Sequence, residues 1–127
     1  MDAMHIQRDR CFELAKQIMD VEATRLTALD RSREVTVGLA RIKADLKGKI
    51  SMATGPDGKS LFSNDAKREA ALAESLCANA DYMKLEQENN DLNCAIGAWN
   101  NELEYLRRCY QIEALFFEMG FMPQPNV

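Results

Sequence analysis

Histidine occurs once in this 127-residue chain, as His5, and the sequence contains no Glu-x-x-His and no Cys-x-x-Cys. Those absences leave out a zinc-finger spacing and the carboxylate-bridged metal sites of helical bundles. Proline is confined to Pro56, Pro123 and Pro125, so most of the chain is free of helix breakers. No apolar run exceeds four residues, as at Ala70–Ala73, against the roughly 20 that span a bilayer. The start, MDAMHIQRDR, lacks the apolar centre of a secretion signal, and a cytoplasmic location with no membrane contact is expected. Cys11, Cys77, Cys94 and Cys109 are then expected as reduced thiols on helical faces. Gly-x-Ser-x-Gly, the phosphate loop and the dinucleotide fingerprint are all missing. Gly-Pro-Asp-Gly-Lys-Ser, residues 55–60, ends like a phosphate loop but has the wrong glycine spacing. The all-helical nucleotide pyrophosphatases would need two separated Glu-x-x-Glu/Asp motifs on one inner face, and no such pair is seen. No enzyme activity and no cofactor are expected.

What is present is a seam. Tyr82, Leu85, Asn89, Leu92, Ile96, Trp99, Leu103, Leu106, Tyr110 and Phe117 fall on alternating steps of three and four, with Glu113 as the one charged position. Such a repeat keeps one stripe of a helix against a partner helix. Cys11, Leu14, Ile18, Val21, Val35, Leu39, Ile42 and Leu46 repeat the spacing in the first half. That seam weakens where it falls on Arg25, Ala28 and Ser32, and Gly38 and Gly48 each cost about 1 kcal/mol against alanine.

Turn chemistry is concentrated at Gly55-Pro56-Asp57-Gly58, which supplies a fixed negative φ and then a residue free to take a positive one. Ser63 or Asn64 is placed to cap a new helix, with Asp65 in its first turn. The expected fold is all-α: a long antiparallel helical hairpin, coiled-coil-like and dimerising into a four-helix bundle. The expected domain covers residues 1–119, with a helix over about 4–52, a turn over about 54–64 and an unbroken helix over about 65–119. Gly120 then suits the left-handed position after the helix, Phe121 folds back on Phe116, and residues 120–127 form a tail. Helices of that length predict a rod, since a compact globule of this size has a radius of gyration near 14 Å.

A turn centred near residues 58–60 sets Leu14 level with Leu103, Ile18 with Trp99, and Leu39 with Leu76 and Cys77. Asn89 then lies near Ala28, between Arg25 and Ser32, as a polar layer that fixes register. Cys11 and Cys109 become the intramolecular disulfide pair to check. Apolar residues off the seam (Ile6, Met19, Leu26, Leu29, Val37 and Ile50, then Leu72, Met83, Ile112, Leu115 and Phe116) call for a further partner, a second copy before any other protein. Leu115 to Phe117, Met119, Phe121 and Met122 crowd one end, where they close the bundle or dock a partner.

Charge divides unevenly. Residues 1–60 carry 11 Lys+Arg and 9 Asp+Glu, net +2, and residues 61–127 carry 5 and 11, net -6. Arg41, Lys43, Lys47 and Lys49, with Lys59, Lys67 and Arg68, make the turn end locally basic. These four are the candidate nucleic-acid contacts, although only Phe62 is at hand for base stacking and the acidic chain disfavours non-specific binding. Glu86, Glu88 and Asp91, like Glu102 and Glu104, read as a solvated face. His5 reads as a surface histidine.

The segment Asp57-Gly-Lys-Ser-Leu-Phe-Ser-Asn-Asp-Ala-Lys-Arg-Glu69, with Leu103-Glu-Tyr-Leu-Arg-Arg-Cys-Tyr110, resembles a loose group of small helical proteins of bacteriophages and prophages, often encoded near single-strand DNA recombination genes. The likeness covers about a third of the chain, and the group carries no assigned catalytic residues to transfer. It implies a phage-like origin and an accessory place in DNA metabolism. The expected function is a non-enzymatic scaffold or interaction protein that self-associates through its helix faces. The alternative is an accessory of DNA recombination that touches nucleic acid, or a DNA-processing partner, through the basic turn end.

Overall fold

A computed structural model describes residues 3–121, without the side chains of Met4, Gly120 and Phe121. Three helices account for most of them: α1 (Ala3–Met52), α2 (Asp65–Ala78) and α3 (Ala80–Phe121). The described residues form no strand, only one isolated antiparallel bridge between Thr54 and Ser60. None of the described helices is long and apolar enough to cross a membrane. The chain divides into two compact units, Met1–Leu29 with Cys94–Val127 (unit 1) and Asp30–Asn93 (unit 2).

Unit 2 contains the loop. Leu61 N–H donates to the Ala53 carbonyl at 3.0 Å and Gly55 N–H to the Lys59 carbonyl at 2.8 Å, so the two arms of the turn fold onto each other. Gly58 takes φ +77°, which a side chain would resist, and Asp57 Oδ1 accepts from Lys59 N–H at 3.1 Å. Asn64 caps α2, its Oδ1 accepting from Lys67 N–H at 2.9 Å, with Asp65 following in the first turn. Because the loop doubles back on itself, helix pairing does not start at the first residue of α2. Ile50 and Leu72, each 8% exposed, instead meet around one small cavity. Both were expected off the seam and are core residues here.

The second helix is not continuous. Asn79 has extended φ, ψ of -86°, 109°. Its N–H donates to the Leu76 carbonyl, closing α2, while its Oδ1 accepts from Tyr82 N–H at 2.8 Å, opening α3. One residue is therefore both cap and break. Further along unit 2, a Cβ built on Gly38 would stand 3.1 Å from Leu85 Cδ1. Gly38 lets α3 approach closely there, which accounts for a poor helix former inside α1. Val35, 1% exposed, completes this core.

In unit 1, α1 and α3 run in opposite directions around Ala28, Leu103 and Leu106, all buried. Arg107 donates to Glu22 at 2.6 Å, Arg25 to Asn100 Oδ1 at 3.5 Å, and Arg10 lies 3.8 Å from Glu113. Leu14 shares a groove with Cys109 and Ile112. The expected pairing of Leu14 with Leu103 is thus displaced by about two helical turns, a shift that the contacts of Arg10 with Glu113 and of Arg107 with Glu22 share. Gly120 lies within α3 and not after it, and the expected contact of Phe121 and the tail from Met122 fall outside the described side chains.

Candidate interaction surfaces

The seam residues from Tyr82 to Leu106 face inward within each unit, whereas Tyr110 is exposed. In unit 2, Tyr82, Leu85, Asn89 and Leu92 are half-buried; in unit 1, Ile96 and Trp99 are half-buried and Leu103 and Leu106 buried. Their period places them together on one face of α3, and α1 covers that face from its own chain. Burial pushes the Tyr82 hydroxyl pKa upward, with the Glu86 carboxylate adding to the effect. The polar layer differs from expectation: Arg25 turns to Asn100, and its Nε is buried with no hydrogen-bond partner.

The exposed apolar surface is concentrated in unit 1. Ile6, Phe12, Met19, Leu26, Tyr105, Tyr110, Ile112, Leu115, Phe116 and Met119 are all exposed there, whereas unit 2 exposes only Val37, Met52, Leu61 and Met83 among its large apolar residues. Phe12 (67%), Met19 (69%) and Leu26 (55%) stand seven residues apart along α1, and Tyr105 (67%), Ile112 (55%) and Met119 (55%) do the same along α3. A seven-residue step returns nearly to the same face of a helix, so each trio is a stripe. Phe12 and Tyr105 went unnoticed as exposed residues in the sequence reading, although their places seven before Met19 and Ile112 carry the signal. Leu115, Phe116 and Met119 do not close the end of the helix pair, for each is at least half exposed.

Two grooves run along unit 1. Phe12 lies in one of about 510 Å³, between Arg8 and Ala15 of α1 and Tyr110, Ala114 and Glu118 of α3. The other, about 400 Å³, holds Leu14, Cys109 and Ile112 beneath the Arg10–Glu113 pair. The grooves share no residue. Cys11 and Cys109 are both free thiols. Cys11 is held protonated to higher pH by burial and by Glu113, while Cys109 lies beside Tyr105, whose hydroxyl pKa that contact raises.

The basic turn end is less unified than its sequence. Arg41, Lys43, Lys47 and Lys49 are all exposed. Lys43 and Lys47, four apart, share one face of α1, but Arg41 and Lys49 lie on another with Asp45 between them, and Asp45 binds Lys49 at 3.2 Å. Lys47 faces Asp65, Arg68 and Glu69 across a cavity of about 230 Å³, so both signs of charge line it.

The acidic residues of α3 act separately. Glu88 receives two hydrogen bonds from Arg31, at 2.5 and 2.9 Å, and Arg31 also reaches Glu34 at 3.1 Å. This hydrogen bonding holds the Glu88 carboxyl below its ordinary range and raises the Arg31 guanidinium above its own. Asp91 accepts from Gln87 at 2.9 Å. Among the described residues no three His, Cys, Asp or Glu side chains come together as metal ligands would. No protein-family model, curated protein or solved structure matches the chain.

Proposed function

We propose that the protein is a non-enzymatic helical scaffold or interaction protein that self-associates through the helix faces left over by its own seam. The observation that carries this reading is the exposed apolar surface of unit 1. At roughly 200 Å² for a large side chain, the ten exposed residues leave roughly 1,100 Å² of apolar surface in water. That total is divided between the α1 stripe, the α3 stripe and the residues beside them, and a standard interface takes about 800 Å² from each partner. Four-helix packing with a second copy is the simplest way to cover a stripe of this kind on a helix pair. The phage-like origin rests on the two segments quoted above.

The nucleic-acid alternative has less behind it, since Asp45 splits the basic cluster and Lys49 is already paired. Light scattering across a hundredfold range of concentration tests the main reading. The expected mass rises to a multiple of the 14.4 kDa chain. A constant 14.4 kDa at high micromolar concentration would remove it.

A further inference from the structure

We infer that the groove around Phe12 is a symmetric dimer face, in which a second copy of the same chain lays its own Phe12 groove over this one. The inference rests on the proposed self-association and specifies where and how it occurs. Arg8 stands on the α1 rim of the groove and Glu118 on the α3 rim, while Ala15 and Ala114 leave space between them. Two such grooves can be set face to face by a two-fold axis parallel to the helices. That operation lays α1 of each copy over α3 of the other, antiparallel, and keeps every residue at its level along the axis.

The rims then match. Arg8 of one copy meets Glu118 of the other, twice, and each Phe12 faces the small Ala114 and the ring of Tyr110 on its partner. Arg8 is free to do this: its side chain is 49% exposed and its ion pair, to neighbouring Asp9, is long at 3.6 Å. Met19 and Leu26 extend the same apolar stripe along α1. With Phe12 and Tyr110 they expose roughly 450 Å². That is about the non-polar share, a little over half, of the roughly 800 Å² that one partner contributes to a standard interface.

The self-complementary rims make the proposal unusually open to test. Charge reversal at either rim, Arg8→Glu or Glu118→Arg, puts like charges opposite each other at both contacts, and each variant alone is expected to dimerise about 10- to 100-fold more weakly. Mixing the two variants in equal amounts restores opposite charges at both contacts, so the mixture is expected to associate as tightly as the wild type. Phe12→Glu is expected to abolish association in every combination. Analytical ultracentrifugation reads the dissociation constants, and far-UV circular dichroism confirms that each variant keeps its helix content.

The outcomes separate cleanly. A mixture no tighter than either variant alone, or an intact dimer in Phe12→Glu, overturns this face while leaving self-association in place. A wild-type chain that stays monomeric at all concentrations overturns both readings.

Discussion

Unit 1 and unit 2 are built from the same kind of helix pairing, yet they dispose of their apolar residues differently. Each buries three: Ala28, Leu103 and Leu106 in unit 1, Val35, Ile50 and Leu72 in unit 2. Unit 2 then has a loop bonded to itself, a close approach at Gly38 and a two-toothed Arg31–Glu88 contact, and it leaves few large apolar side chains in water. Unit 1 has a core of the same size beneath far more exposed apolar surface. A helix pair has two long sides that no third helix covers. Unit 2 lines those sides with charge, and unit 1 lines them with Phe, Met, Leu and Tyr. The exposed apolar side chains of unit 1 add nothing to its buried core, and on the proposed reading a second copy covers them.

The largest test of that contrast removes a core side chain from each unit. Leu103→Ala is expected to destabilise by about 3 kcal/mol and Val35→Ala by about 2 kcal/mol in urea denaturation. Only Leu103→Ala should also weaken self-association, because it loosens the unit whose surface is to be covered; equal loss of association in both variants would erase the distinction.

A smaller effect, of opposite sign, is expected at Arg25. This side chain sits in the unit 1 seam with its Nε buried and unbonded. Arg25→Leu is expected to stabilise by on the order of 1 kcal/mol, read as an upward shift of the urea midpoint, since the half-buried side chain leaves a buried N–H without an acceptor and an apolar side chain would not. A lower midpoint would show that the Asn100 contact matters more than its 3.5 Å length suggests.

The smallest effect concerns Glu88 of unit 2. Its carboxyl pKa is depressed in the folded chain by the hydrogen bonds from Arg31. Its stabilising contribution is therefore complete above the ordinary glutamate value, near 4.3, and is lost as pH falls through the depressed one. Glu88→Gln is expected to melt slightly below the wild type at pH 7, with the gap narrowing as pH is lowered below the ordinary glutamate value. A gap that does not change with pH would mean that Glu88 acts through packing and not through its charge.

Much of this architecture was legible in the sequence because spacing alone decides which residues share a helical face. Leu92, Ile96, Trp99, Leu103 and Leu106 needed no knowledge of the partner helix to be placed inward. The turn was legible for a similar reason: Gly58 and Asn64 do there what their backbone and side-chain chemistry favours. The register was not, because it depends on how the loop folds back through hydrogen bonds that residue types do not encode. The break at Asn79 escaped because asparagine within Ala78-Asn79-Ala80 carries no proline or glycine beside it, and only the reach of its side chain to Tyr82 N–H marks it as a cap. The candidate face was half legible. The off-seam stripe is visible in the numbering, but the matching of Arg8 with Glu118 needs both helices in place.

The break at Asn79 also bears on how freely this chain can change its length. In one continuous helix, a single inserted residue turns everything beyond it by about 100° and would carry Leu103 and Leu106 off the inner face. Asn79 interrupts that transmission, because the extended residue lies outside both helices and no continuous helix carries the phase of α2 into α3. A residue inserted early in α2 would still turn Leu72 away from Ile50, while the same change beyond Asn79 would turn every downstream face of α3 at once.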